Sequence, residues 1–405
     1  MNTQKRIIAY RRPAIAVAVA SLVIATAAAI GMPSALAAHR HHEQAGALPS
    51  IGREPKPSIF GINATVHDSS HANFVRDIPA ARALGARWDR VILGPTTGTG
   101  DFAGSDFEVK QAREQGMGVL LALGGIPGAC SQPSANAHSC PPSTPAELRS
   151  YQEYMRRVIL RYRHVVSYYE SWIEPNASAN WLTGPNATAY AALLTAQYEE
   201  VQAVNRQYDL HVKLLFGSPI GFTTGPWTPV LTFTNDVLNV LHGARPFDGI
   251  ALLAYRFPPY GPDATTNDVI GGSGEVPAGC NASSPSCQLT WSQELTAYEQ
   301  EFLQHGYGQQ PLWITEFGWG GNAQPDDPYY PSYTEQAEYL REAYQDLLAL
   351  PFVQAAFWFN SRDYQPGVLD GDPAWLAHYG LRNYDFSEKP AAAAFKLLAD
   401  ANPGR

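Results

Sequence analysis

The chain has 405 residues, 45% of them hydrophobic and 16% charged, and its 28 Lys and Arg face 37 Asp and Glu for a formal net charge of −9. This acidic balance argues against nucleic acid and anionic membranes as partners and suits a neutral substrate. In chain order, residues 1–37 carry Lys5, Arg6, Arg11 and Arg12, then an Ala/Val/Ile stretch from Ala14 to Ile30, then Ala35-Leu36-Ala37 before Ala38. The pattern reads as a secretory signal cleaved after Ala37, which predicts a secreted protein on the extracellular or cell-envelope side. An uncleaved anchor is the alternative, because the stretch only just reaches the ~20 residues of a bilayer span. Arg11-Arg12 would also suit a twin-arginine route. Cleavage removes four basic residues and no acidic one, leaving 24 Lys and Arg against 37 Asp and Glu, a net −13. No stable membrane insertion is expected afterwards, and a monomer is expected.

Residues 38–57 hold His39, His41, His42 and several Gly and Pro without an apolar period. They read as a flexible linker, with adventitious metal binding by the histidines as the alternative. From 58 to 405, short apolar runs alternate with amphipathic stretches. The strand and helix pairs fall at 58–65 and 71–84, 87–93 and 105–115, 117–124 and 145–163, and 166–174 and 187–206. They continue at 212–218 and 228–242, 247–255 and 291–305, 311–316 and 334–349, and 353–360 and 389–399. Helix starts are marked at Ser143-Thr144-Pro145-Ala146-Glu147 and at Ser332-Tyr333-Thr334-Glu335. Eight such alternations predict an α/β fold, a (β/α)8 TIM barrel in one catalytic domain, with functional side chains at the C-terminal strand ends. An open doubly wound sheet would alternate too, but no Gly-x-Gly-x-x-Gly turn follows the first strand.

Four cysteines, Cys130, Cys140, Cys280 and Cys287, fall as two local pairs in the long loops after the third and sixth strands. In an exported chain these read as loop-closing disulfides, 130–140 and 280–287, although other pairings are formally open. Neither pair has Cys-x2-Cys spacing, so no metal site is expected. No organic cofactor is expected either. No Gly-x-Ser-x-Gly turn is present to support a serine hydrolase.

Two glutamates each close an apolar or aromatic run: Glu174 in Tyr-Tyr-Glu-Ser-Trp-Ile-Glu-Pro-Asn (168–176) and Glu316 in Pro-Leu-Trp-Ile-Thr-Glu-Phe-Gly-Trp (311–319). A lone acid after a strand is usually a solvated cap or half of an ion pair. Two of them, ending strands four and seven of a barrel, would reach the same mouth. Hydrolysis of a glycosidic bond needs one carboxylic acid and one carboxylate, and aromatic walls raise the pKa of the acid. Glu170, four residues upstream on the same strand face and so roughly 13 Å deeper, reads as an interior carboxylate paired with Arg90 rather than a catalytic group.

On these motifs, with Trp172-Ile-Glu-Pro-Asn176, Phe247-Asp-Gly-Ile250 leading to Tyr255, Ile314-Thr-Glu-Phe-Gly-Trp319 and Phe357-Trp-Phe-Asn360, nearly all of 58–400 resembles clan A retaining glycoside hydrolases. Family 39-like and family 5-like members are the most similar. The resemblance implies a secreted retaining β-glycosidase that acts on a neutral oligo- or polysaccharide, with Glu174 as acid/base and Glu316 as nucleophile. A retaining enzyme holds such carboxyls about 5–5.5 Å apart. From their places at strand ends, Tyr255 would donate its hydroxyl to Glu316, with simple packing as the alternative, and Trp358 would form a floor under the sugar. Trp181, Trp319, Arg90, Ile173 and Asn360 would then be substrate-binding, with packing roles as the alternative for the tryptophans. The chain departs from the family at Ile173, where Asn usually precedes the acid, and at Leu253, where His-x-Tyr is usual. These departures motivate a rival reading, an attenuated carbohydrate-binding protein on the same barrel; a transglycosylase is a third, since it uses the same two glutamates and differs only in whether water or a sugar hydroxyl reaches the intermediate.

Overall fold

The structure, a computed structural model, describes residues 46–51, 58–64, 71–93, 97–98, 100–124, 140–182, 184–221, 226–256, 261–266, 288–321, 331–364 and 377–404. Eight parallel strands close a barrel in the order β1 to β8. They are β1 (Phe60–Ile62), β2 (Trp88–Ile92), β3 (Gly118–Ala122), β4 (Tyr168–Glu170), β5 (Lys213–Phe216), β6 (Gly249–Leu253), β7 (Leu312–Phe317) and β8 (Val353–Trp358). One helix follows each strand: α1 (His71–Ala83), α2 (Ala103–Glu114), α3 (Pro145–Tyr162), α4 (Ala187–Tyr208), α5 (Val230–Leu241), α6 (Trp291–Gln304), α7 (Tyr333–Ala349) and α8 (Pro390–Ala401). The fold is thus a single (β/α)8 barrel, as the alternation predicts.

The helices begin where their sequences say. At α3 the Thr144 side chain accepts from Glu147 N, the Glu147 carboxylate accepts from Thr144 N, and Pro145 takes the first turn, where its missing N–H costs nothing. Ser332 and Glu335 repeat the reciprocal cap at α7. Each such cap contributes about 1 kcal/mol. The barrel interior is filled by Trp88, Leu120, Leu215, Ala251, Trp313, Ala355 and Phe357. Gly118 makes room for the Trp88 ring, since a Cβ there would lie 2.4 Å from it. Alternate strand residues face outward and pack on the helices, as where Phe60 stacks on Tyr344 with ring centroids 4.7 Å apart. Each such buried ring contributes roughly 1.5–3 kcal/mol.

Residues 1–45, which include the expected signal and His39, His41 and His42, lie outside the described residues. Residues 46–51 depart from the expected flexible linker. Leu48 N donates to Arg161 O at 2.8 Å, Arg161 Nη1 donates to Gly46 O at 3.3 Å, and Leu48 and Ile51 pack against the core. The reason is local: the Leu48 backbone N–H supplies a donor to an open C-terminal carbonyl of α3, while the Leu48 and Ile51 side chains bury apolar surface on the core. Cys140 is buried and disulfide-bonded. Cys130, Cys280 and Cys287, and with them the expected pairings, lie outside the described residues. Among the described residues no helix is long and apolar enough to cross a membrane.

Candidate active site

Alternation along the strands places polar side chains one layer above the tryptophan-rich interior. Arg90 stands two residues beyond Trp88 on β2, and Glu170 two beyond Tyr168 on β4. Glu316 does not follow this rule. Trp313 faces inward and Ile314 outward, so strict alternation would turn residue 316 toward the helices. A register shift intervenes: Leu252 pairs with Ile314 but Leu253 with Glu316, leaving Thr315 as an extra residue. Phe317 then joins the outward layer and Glu316 points into the mouth. A bulge is thus what re-aims this carboxylate.

Glu316 is held from two sides. Arg90 Nη1 donates to Oε1 at 2.5 Å and Tyr255 Oη donates to Oε2 at 2.6 Å. The same guanidinium reaches Glu170, with Nε to Oε2 at 2.7 Å and Nη2 to Oε1 at 3.0 Å. Glu170 also accepts from the Ser218 hydroxyl. Burial works against the charge on Arg90, but Glu170 and Glu316 overcome it and hold the guanidinium more firmly protonated than usual. Burial likewise pushes the Glu316 carboxyl up, opposed by the charge of Arg90 and by the hydrogen bonds from Tyr255 and Arg90. Those three influences favour its ionised form. Arg256, next to Tyr255, donates to the carbonyls of Gly261, Pro262 and Leu289 and to Glu294. It therefore pins both ends of the segment that follows β6.

Glu174 is fully buried and meets a different environment. Its backbone takes the left-handed region at φ 49°, costly for a residue with a side chain, and is held by Glu174 N donating to Ser218 O at 2.9 Å. Close approach of β5 makes this possible: a Cβ on Gly217 would lie 2.4 Å from Trp172 O. Asn180 Nδ2 donates to Glu174 Oε2 at 2.6 Å, while Oε1 has no partner among the described residues. Burial first, and the neighbouring Glu316 charge second, push the Glu174 carboxyl up to about 8. At neutral pH it keeps its proton, and it faces a carboxyl that is also raised by burial but whose charged form Arg90 and Tyr255 favour. The two acids therefore have opposite assignments in proton chemistry.

Any step that needs protonated Glu174 should fade as pH rises through about 8. A rate–pH profile of a reaction that uses this proton should show that alkaline limb, and Glu174→Gln should lose it. A limb that survives the substitution would mean that another group titrates.

Several of the expected binding residues sit elsewhere. Trp358 is 0% exposed and faces the helix layer, packed on Phe317 and Trp319, with Nε1 donating to Tyr379 O at 3.0 Å. It does not floor the mouth. Strand parity explains this: Ala355 and Phe357 face inward, so the site-facing ring is Phe359, against Tyr255 and Tyr379 at 6.0 and 5.9 Å. Trp181 packs between Trp172 and Tyr190, and Trp319 against Trp291 and Tyr339; both belong to the core. Ile173 is 6% exposed and bridges to Ser218 immediately before the acid, so the position is apolar and enclosed. Asn360 is buried at the end of β8 with neither amide atom partnered among the described residues. Sequence reasoning missed Asn63, which donates to Thr315 O at 3.0 Å beside Glu316, and Asn180 and Phe359. Only counting parity along β1 and β8 could have found Asn63 and Phe359. Among the described residues no group of three His, Cys, Asp or Glu is placed to hold a metal ion.

No protein-family model and no curated protein matches this chain. Solved structures do. A family 39 glycoside hydrolase from the gut symbiont Bacteroides cellulosilyticus WH2 is similar at 20% identity and a TM-score of 0.60, over 85% of this chain and 64% of that one. A GH5_18 from Bifidobacterium longum subsp. infantis is similar at 17% identity and 0.57, over 86% and 79%. A monomeric beta-xylosidase from Caulobacter crescentus CB15 is similar at 16% and 0.56, over 86% and 69%. The chain thus spans 64% of the length of the first of these. Likeness at such identities establishes the shared barrel fold.

Proposed function

We propose that this protein is a retaining β-glycosidase that hydrolyses a neutral oligo- or polysaccharide by double displacement, exported through its N-terminal segment and acting as a monomer. The observation that carries the proposal is the contrast between two buried carboxyls at one barrel mouth. Glu316 is bonded to Arg90 and Tyr255, whereas Glu174 is pushed up to about 8 by burial and by the Glu316 charge. Ionised Glu316 attacks the anomeric carbon while Glu174 protonates the departing oxygen. Glu174, now a carboxylate, then takes a proton from water as that water displaces Glu316. Its pKa falls when Glu316 loses its charge in the covalent intermediate, so the two titrate together. The glycoside hydrolase names of the similar structures agree with this chemistry.

The test is hydrolysis over β-glucans, xylan, mannan, galactans and arabinogalactans, with chromatography of products and NMR of the first-formed anomer. Retention of configuration is expected, and inversion would overturn the double displacement. One feature favours a second reading: Ile173 puts an apolar side chain where an amide would contact a sugar hydroxyl. Tight oligosaccharide binding without turnover on the whole panel would establish a binding protein instead. Longer products formed from the donor sugar would indicate transglycosylation.

A further inference from the structure

Glu174 has two chemically distinct carboxyl oxygens, and one residue makes them so. Asn180 closes a short chain of turns: Ala177 N donates to Glu174 O at 3.1 Å, and Asn180 N donates to Ala177 O at 3.1 Å. Its carbonyl accepts from Trp172 Nε1 at 2.8 Å, so its backbone is tied on both sides. From there Nδ2 donates to Glu174 Oε2 at 2.6 Å. Glu174 Oε1 is buried with no partner among the described residues. An amide N–H can only donate, so Oε2 is engaged as an acceptor and a proton on this carboxyl resides on Oε1.

We propose that Asn180 is a positioning residue that ties Oε2 and so fixes Oε1 as the oxygen that gives the proton to the leaving group and later takes one from water. This rests on the glycosidase reading. In the first step the O–H bond at Oε1 breaks and the proton passes to the glycosidic oxygen. That oxygen leaves the anomeric carbon with the bonding electron pair as the Glu316 carboxylate bonds to it. In the second, a water proton returns to Oε1 while the water oxygen bonds to the anomeric carbon and Glu316 departs with its electron pair. The amide hydrogen bond also stabilises the Glu174 carboxylate formed between the two steps. The charged groups that face Glu174 are Glu316 from β7, Arg90 from β2 and Glu170 from β4, and none of them is altered by a change at Asn180.

The experiment compares kcat/KM against pH for wild type, Asn180→Leu and Asn180→Asp on two glycosides of the sugar that the panel identifies. One has a dinitrophenyl leaving group, which departs without protonation, and the other a sugar leaving group. Asn180→Leu removes a donor that favours the charged form, so the alkaline limb should move up by about one pH unit. At pH 6 the sugar leaving group should slow by roughly 10–100-fold, part of the 10²–10⁴ that general acid catalysis supplies. The dinitrophenyl glycoside should change little. Asn180→Asp keeps the size of the side chain but can only accept the Glu174 proton, so its limb should move further. It carries the same test if Asn180→Leu does not fold. Equal loss on both glycosides, or a limb that stays in place, would overturn the proposal. If instead Glu174→Gln leaves the sugar leaving group unaffected, it is the glycosidase reading that falls.

Discussion

Glu316→Gln should abolish turnover, with kcat falling by about 10⁴-fold or more, some 5.5 kcal/mol of barrier lowering, while oligosaccharide affinity stays within a few fold. The side chains have the same shape, and Gln still accepts from Arg90 or Tyr255 through its carbonyl. What disappears is the nucleophilic charge, which acts only as the new bond forms, so the loss belongs in kcat rather than in ground-state binding. A 2-deoxy-2-fluoro glycoside should label wild type at Glu316, and mass spectrometry should locate the label on the 311–319 peptide. Glu316→Ala should regain part of its activity in formate, because a small anion fits the space left by the carboxylate. The glycosyl formate would have inverted configuration. If Glu316→Gln keeps wild-type turnover, or if the label falls on the 168–176 peptide, the assignment of the nucleophile is wrong.

Arg90→Met should be the most damaging single change to the fold. It leaves Glu170 and Glu316, both buried, without the cation that bridges them. Removing one partner of a buried ion pair costs roughly 3–5 kcal/mol, a fall in Tm of roughly 4–7 °C for a domain of this size. The pH dependence gives a sharper check. Without Arg90 the two carboxyls should bind protons in the folded state at higher pH than in the unfolded chain. Stability is then fully present below the unfolded carboxylate pKa and is lost as pH rises through the raised folded values. The deficit relative to wild type should therefore shrink from pH 7 to pH 4. A Tm within about 2 °C of wild type at pH 7 would show that the guanidinium is dispensable.

The fold was legible because its signals are local and periodic. Apolar runs of strand length and amphipathic stretches of helix length alternate eight times over, two reciprocal caps mark helix starts, and the expected spans meet the observed elements within a few residues, as with 145–163 against Pro145–Tyr162. Glu174, Glu316, Tyr255 and the pairing of Arg90 with Glu170 were legible for a related reason: each stands at or near a strand end, where a barrel delivers side chains to its mouth.

By itself, then, the sequence determined the barrel, the two acids and the tyrosine that serves one of them. The facing of individual side chains was decided in three dimensions. Trp358 was the natural aromatic floor by motif, yet the pairing of β8 with β7 turns it outward and presents Phe359. The bulge at Thr315 reverses the parity of β7, and the left-handed turn at Glu174 depends on how near Gly217 lets β5 approach. Which acid holds its proton was also decided there, because it follows from burial and from one guanidinium shared between Glu170 and Glu316. Period and propensity act over a few neighbouring residues, whereas strand register and dielectric environment are set by groups 80 and 226 positions apart along the chain.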